Sequence, residues 1–267
     1  MRPPGAESEP AAPASVAFDR AAAFYDDTRG FPPGEEEGVA ACIAAAGGLT
    51  ADGRVLEVGI GTGRVALPLA RRVGAVCGVD IARQMMARLR AKRSGEAVHP
   101  VQADAARLPF PARSFDAAVA VHVFHLIPNW PAVLHEVARV LRPGAPLLSG
   151  WSNTEAPPGL EAVFQRRSLR PAVGVAHERR ETFLDEAGWQ PVSEVHTHAY
   201  TVQQAPQALV ERLKRRVWSG TWRLTDAELA EVIAATEALI AAHVDDPTVP
   251  VTLTARFSVR AYLPPRT

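Results

Sequence analysis

Between positions 54 and 150 the apolar residues fall into short unbroken runs, separated by longer stretches in which they return every three or four positions. The runs predict strands over 55–58, 75–79, 98–102, 115–121 and 145–150. The intervening stretches predict helices over 62–73, 82–93 and 131–141, the last with Pro131 at its first position, where a missing N–H costs nothing. Strands that are continuously apolar, not alternating, are buried on both faces. Joined by helices at this spacing, they imply right-handed crossovers and a parallel sheet covered on both sides.

The texture differs on either side of this region. Upstream, helices are predicted over 15–25 and 35–46; the second carries Glu35, Glu36 and Glu37 in its first turn, where the helix dipole favours acids, and Gly47-Gly48 ends it. Downstream, a Pro/Gly-rich stretch at 156–159 precedes predicted helices over 160–169, 178–187, 206–218 and 225–243. Strands are predicted over 191–202 and 251–262. The last strand alternates apolar and polar residues, the signature of an antiparallel strand with one partly exposed face. The prediction is a doubly wound α/β sheet of seven strands, mostly parallel, with an antiparallel edge strand and an added helical lid.

Composition narrows the class of protein. A chain of 267 residues suits one α/β domain with added helices. Its 29 basic and 29 acidic residues cancel, so no whole-molecule attraction to nucleic acid or anionic membrane is expected. Cys42 and Cys77 each sit in an apolar segment, as buried free thiols in a reducing compartment do. Residues 1–13 are rich in Pro, Ala and Glu and lack an apolar core, which reads as a disordered leader (1–14) and not a secretion signal. No apolar run reaches the ~18 to 20 residues needed to span a bilayer. A cytoplasmic protein, monomer or homodimer, is expected.

The candidate chemistry lies where strands meet helices. Leu56-Glu57-Val58-Gly59-Ile60-Gly61-Thr62-Gly63-Arg64 spans the first such junction. Glycines there permit a tight turn and close approach of a ligand to the backbone. The spacing is Gly-x-Gly-x-Gly with an acid two residues before the first glycine, whereas a dinucleotide fingerprint is Gly-x-Gly-x-x-Gly. Asp80 closes the second predicted strand, the position at which doubly wound folds place an acceptor for ribose hydroxyls. Asp104 follows the third, within reach of a base amino group. Together these describe a nucleoside pocket without a diphosphate cradle.

The segments LEVGIGTGR, GVDIARQMM, QADAARLPFPARSFDAAVAVHVFHLI and EVARVLRPGAPLL closely resemble the successive motifs of the class I, Rossmann-like S-adenosylmethionine-dependent methyltransferases, in particular the type 11 group directed at small molecules. The resemblance is strong over 18–150 and loose beyond. It implies a single methyltransferase domain over 15–267: cap helices (15–48), a cofactor-binding core (49–151), and the remaining sheet with inserted helices over the acceptor site (152–267). It implies S-adenosylmethionine as cofactor, S-adenosylhomocysteine as product, and a small-molecule methyl acceptor. By resemblance Glu57, Gly59, Gly61 and Gly63 cradle the methionine part, Asp80 binds the ribose hydroxyls, and Ile81 and Met85 flank adenine. Asp104 and Ala105 contact the adenine edge, Val121 or His122 lies near the amino-acid end, and Tyr25, in the Ala-Phe-Tyr-Asp segment at 23–26, covers the cofactor. Ala145 stands where a second glycine is usual after Pro143-Gly144.

Other features carry weaker expectations. His122 and His125 directly follow the fourth predicted strand, where ligands line the crevice, and either imidazole can take a proton from an acceptor. His196 and His198 share a strand face, but no carboxylate is placed with them in the sequence, so no metal site is predicted. Arg139 and Arg142 near a helix C-terminus serve the dipole or the turn. The clusters Arg166-Arg167, Arg179-Arg180 and Lys214-Arg215-Arg216 read as solvated faces. Trp151, Trp218 and Trp222 are aromatic packing residues or line an acceptor pocket. A base methyltransferase is disfavoured because Val-His-Val-Phe replaces Asn/Asp-Pro-Pro-Tyr after the fourth strand. An NAD(P) oxidoreductase is disfavoured by the glycine spacing. A cofactor-binding protein of the same fold without turnover remains compatible with the sequence.

Overall fold

The continuous apolar runs do form the centre of a parallel sheet. In the computed structural model, which describes residues 14–165 and 172–265, β1 (Arg54–Val58), β2 (Ala75–Asp80), β3 (Val98–Gln102), β4 (Ala117–Val121) and β5 (Leu147–Glu155) pair in parallel in the order 3-2-1-4-5. The predicted leader over 1–13, the Arg166-Arg167 pair and the end of the helix predicted over 160–169 lie outside the described residues. β1 and β4 are buried on both faces because successive side chains enter different cores. Leu56 and Val58 join Ala118, Ala120 and Leu147 on one face, while Val55 joins Val76, Val119 and Leu148 on the other.

Beyond β5 the sheet becomes antiparallel. β8 (Val251–Leu263) lies beside β5, and β6 (Gln190–Pro191) and β7 (His196–Gln204) both pair with the far edge of β8. Among the described residues the sheet therefore has eight strands where the pattern predicts seven, because the strand predicted over 191–202 is split. Ser193 places its side-chain oxygen in the ladder, accepting from Ala261 N at 3.1 Å, and its carbonyl accepts from Arg260 Nε at 3.1 Å. The chain runs from Pro191 to His196 while β8 runs only from Tyr262 to Val259, so extra residues bulge out.

The helices are α1 (Tyr25–Arg29), α2 (Glu35–Gly47), α3 (Ala66–Leu69), α4 (Arg83–Lys92), α5 (Trp130–Val140), α6 (Glu161–Phe164), α7 (Phe183–Glu186), α8 (Gln207–Lys214) and α9 (Asp226–His243). Among the described residues none is long and apolar enough to cross a membrane. Val133, Val137 and Val140 of α5 cover one sheet face; Ile43 of α2, Leu69 of α3 and Leu89 of α4 cover the other. α6, α8 and α9 pack on one another through Val163, Val210 and Ile240, forming a separate layer between β5 and β8 in sequence. Thr225 and Glu228 form a capping box that starts α9.

Several predicted helices are shorter than their patterns: the one over 178–187 is a 3-10 turn (His177–Arg179) and then α7, and the one over 206–218 ends at Lys214, just before Arg216 turns left-handed (φ 49°). α3 replaces a helix predicted over 62–73: Gly63 is left-handed (φ 77°), and Pro68 lacks the N–H that would bond back one turn. The segment predicted as a helix over 15–25 begins extended, with Val16 N donating to Leu126 O at 3.0 Å, and becomes helical only at Asp19–Ala21 and α1. It is held from outside by tertiary contacts.

Arg139 is more than a helix-end charge. It donates to Phe110 O at 2.9 Å and Leu108 O at 3.0 Å while its Nε meets Glu136 at 2.7 Å, and Glu136 in turn accepts from Leu108 N at 2.7 Å. This pair clamps the turn after β3 onto α5. Arg142 pairs with Asp116, tying the end of α5 to the start of β4. Arg139→Ala orphans two carbonyls and is expected to cost about 1–2 kcal/mol, since charge-assisted bonds at a half-exposed site lie at the lower end of their range. Urea unfolding checks this; an unchanged midpoint contradicts the clamp.

Candidate active site

β1 ends in a loop that folds back over the tip of β2. Gly59 N and Ile60 N both donate to Val79 O, at 2.9 and 3.0 Å, and Gly61 N donates to Asp80 Oδ2 at 2.9 Å. The turn needs left-handed backbone at Gly59 (φ 76°) and Gly61 (φ 51°), which side chains disfavour. A Cβ at Gly59 would stand 2.7 Å from the Val123 side chain. Gly61 presents a bare backbone toward Met85 and Asp80.

Two acids face this loop in contrasting states. Glu57 is 4% exposed, and its Oε2 has no hydrogen-bond partner. Burial pushes its carboxyl well above the usual range; Arg64 opposes the shift and Asp80 reinforces it. Asp80 is better satisfied. Its Oδ1 accepts from Ala82 N at 2.7 Å and its Oδ2 from Gly61 N, yet burial still raises it above its ordinary value, with Asp19 adding to the shift.

The N-terminal segment covers the loop. Tyr25 lines a cavity with Glu57, Gly59, Gly61, Thr62 and Arg64, closed at the sheet by Val121. Asp26 holds the cover down: its Oδ1 accepts from Thr62 Oγ1 at 2.6 Å and its Oδ2 pairs with Lys92 Nζ at 2.8 Å. Arg64 donates to Arg29 O at 2.6 Å, and Asp19 Oδ1 accepts from Gln84 N at 2.6 Å, capping α4 from a distant part of the chain. Phe18 and Tyr25 pack on Ala22, Ala82 and Met85. The inserted layer touches this cover, with the Trp222 ring 4.7 Å from Phe18, the Arg20 guanidinium 5.0 Å over the same ring, and Arg29 donating to Val217 O at 3.3 Å.

Of the residues picked out from sequence, Tyr25, Glu57, Gly59 and Gly61 share one cavity, and Asp80 borders it through Gly61. Gly63 supports the turn from behind, against Leu89. Met85 is buried between the loop and the cover, and Ile81 is half-buried, its carbonyl accepting from Gln102 Nε2 at 3.3 Å. Asp104 and Ala105 do not line the cavity. Asp104 is exposed on the neighbouring strand tip, where Ala103 N donates to Asp80 O at 3.2 Å, and its Oδ1 accepts from Ala106 N; Ala105 is buried in the core. The sequence pattern does not single out Asp19, Thr62 and Lys92, because their roles depend on contacts with a segment distant in sequence.

Val121 lines the cavity, but its neighbour His122 does not. Its backbone is left-handed (φ 52°), rare for a residue with a Cβ, and its Nε2 lies 3.1 Å from Ser152 Oγ on β5. His125 sits in the following turn, Phe124–Leu126, where its carbonyl accepts from Gly174 N. His198 does have a carboxylate, contrary to the sequence reading: Glu35 Oε2 of α2 is 2.7 Å from its Nε2, because α2 packs across β7. Among the described residues no group of three potential ligands gathers around a metal position. Arg179 pairs with Glu186, Arg180 with Glu181, Lys214 with Glu211 and Arg216 with Asp226, while Arg215 lies over the Phe24 ring. Cys42 and Cys77 are free and half-buried, and burial pushes the Cys42 thiol up to about 11.

Residues 56–149 match the family model described as a methyltransferase domain. The chain is 44% identical over 96 residues to the phosphatidylethanolamine N-methyltransferase of Cereibacter sphaeroides, covering 34% of this chain and 47% of that one. It is 33% identical over 187 residues to the uncharacterised methyltransferase YcgJ of Bacillus subtilis, covering 68% and 70%. The crystal structure of YcgJ superposes with a TM-score of 0.56 over 86% of this chain and 99% of that one, at 18% identity. An N-methyltransferase of Haemonchus contortus, in complex with phosphomonomethylethanolamine and S-adenosylhomocysteine, superposes with a TM-score of 0.52 at 17% identity over 94% and 61%. The chain spans about half the length of the first curated relatives it matches.

The burial of Glu57 has a consequence for stability. Because its folded carboxyl titrates above the unfolded value near 4.5, its contribution is fully present below that pH and is lost as pH rises through the folded value. Glu57→Gln is therefore expected to flatten the fall of unfolding free energy on the alkaline side and to gain on the parent toward neutral pH. Urea unfolding at several pH values measures the slope. Parallel profiles for parent and variant contradict the assignment.

Proposed function

The chain belongs to the class I methyltransferases, and on that premise we propose that it transfers the methyl group of S-adenosylmethionine to a small-molecule acceptor. The observation that carries the reading is the unpartnered Oε2 of Glu57, buried beneath a glycine loop that lines the same cavity. An orphaned buried acceptor costs about 1–3 kcal/mol unless something pairs with it. A ligand ammonium beside Glu57 and ribose hydroxyls at Asp80 satisfy both acids, so the residues present fit the cofactor. The complex of the Haemonchus relative with S-adenosylhomocysteine supports the same reading.

When bound, the cofactor supplies a sulfonium-activated methyl carbon, so no covalent enzyme intermediate is required. The protein's part is to position, cover and accept a proton. In this reading Glu57 and the bare backbone of Gly59 and Gly61 hold the amino-acid end. Asp80 holds the ribose, with Ile81, Met85, Asp104 and Ala105 around the base. Tyr25 and the segment latched by Asp26 exclude water, and the layer of α6, α8 and α9 forms the rest of the lid. In this reading His122, whose ring meets Ser152 and whose backbone is strained, receives a proton from an acceptor hydroxyl, with His125 the second candidate for that role. The acceptor is a small molecule, as the names of relatives such as the fatty-acid O-methyltransferase of Mycolicibacterium smegmatis and the demethylmenaquinone methyltransferase of Tropheryma whipplei state for those proteins.

Calorimetry tests the cofactor half directly. The protein is expected to bind S-adenosylhomocysteine and to ignore NADH; the reverse result overturns the proposal. Asp80→Ala is expected to weaken S-adenosylhomocysteine binding by about 1–3 kcal/mol, from lost ribose bonds and from the freed Gly61 and Ala82 amides. Unchanged affinity removes Asp80 from the site.

A further inference from the structure

Glu57 is more than an acceptor waiting for a partner, because of what surrounds it. The titratable and charged groups that face it are Arg64 from the glycine loop, Asp80 from β2 and Tyr25 from the covering segment. Arg64 is committed elsewhere: its Nη1 donates to Arg29 O at 2.6 Å and its guanidinium lies 4.9 Å over the Phe31 ring. Asp80 repels a second negative charge. A carboxylate in this position, with one oxygen unpartnered and water largely excluded, is costlier to bury than the neutral carboxylic acid, although the Ala66 amide and the Arg64 charge offset part of that cost.

Resting on the cofactor reading above, we propose that Glu57 is protonated in the free protein and exchanges its proton for the α-ammonium of an amino-acid-bearing nucleoside, so that ligand binding releases one proton. The O–H bond of Glu57 breaks, its electron pair stays on the carboxylate, and the proton passes to solvent. An N–H of the incoming ammonium then donates to Oε2. No electron changes hands. Burial already holds the carboxyl well above its ordinary range, in the direction this exchange requires.

The exchange makes Glu57 a specificity-determining residue. A ligand carrying the ammonium is drawn in by an ion pair that forms only once it arrives, while a nucleoside lacking the amino-acid arm leaves Glu57 protonated. Affinity for the first ligand rises by up to about tenfold per pH unit while Glu57 remains protonated in the free protein. Affinity for the second does not gain from this group. Asp80 keeps its Gly61 and Ala82 donors and its ribose contacts with either ligand, so the difference between the two ligands isolates Glu57.

Titration calorimetry in phosphate and in Tris at about pH 7, where an α-amino group is still largely protonated, reads the proton directly. With S-adenosylhomocysteine the parent protein is expected to show heats that differ between the buffers by about one proton's ionisation enthalpy. With 5′-methylthioadenosine the heats should agree, and Glu57→Gln should bind S-adenosylhomocysteine with no proton released. Buffer-independent heats for S-adenosylhomocysteine, or equal proton release with both ligands, overturn the exchange. Should Glu57→Gln fail to fold, the two-ligand comparison in the parent protein still decides. Failure to bind S-adenosylhomocysteine in any buffer overturns the cofactor reading instead.

Discussion

The site depends on one hydrogen-bonded junction, the two backbone N–H groups held by the Asp80 carboxylate. Oδ2 takes Gly61 from the loop after β1, and Oδ1 takes Ala82 at the start of α4. Val79 O takes two further amides from the same loop. Neighbouring strand tips are thereby locked at a spacing that leaves Gly61 backbone bare on one side and Glu57 buried beneath it. Gly59 is required by this geometry, since its left-handed angle and the closeness of Val123 leave no room for a side chain, and Gly61 is favoured by its left-handed angle alone.

A second consequence is mechanical. The N-terminal segment is not a helix lying on the surface but a strap fastened at several points: Asp19 on α4, Asp26 on Thr62 and Lys92, and Arg29 on Arg64 and Val217. Since Thr62 and Arg64 belong to the glycine loop and Val217 to the inserted layer, the strap links the cavity floor to the lid. The exposed ion pair at Lys92 adds little by itself. The buried Thr62 hydroxyl and the Phe18–Trp222 contact give the strap its register.

The core strands were legible because burial on both faces leaves a continuous apolar run, a signal that needs no partner to be read. Residues 54–58 and 75–80 carry it clearly. The antiparallel region was read in class but not in detail. Nothing in 191–202 marks Ser193 as the residue whose hydroxyl replaces a ladder partner, so one predicted strand became two. In the site, the glycines, Glu57 and Asp80 are marked by their spacing at strand ends, and the resemblance to the family motifs supplies their roles. Asp19 and Lys92 are not so marked, because a cap or an ion pair supplied across more than sixty residues leaves no local pattern. The partner of His198 is hidden for the same reason: its acid, Glu35, comes from a helix that folds across β7.

The central claim is that the turn after β1 and the acids beside it form one pocket for an adenosyl amino acid. A crystal structure with S-adenosylhomocysteine tests this most directly. The expected result places the ligand amine within hydrogen-bonding distance of Glu57 Oε2, both ribose hydroxyls on Asp80, and the base between Ile81 and the Asp104 turn, with Tyr25 above. Ligand density elsewhere, or a ligand whose amine turns away from Glu57 toward solvent, would contradict it.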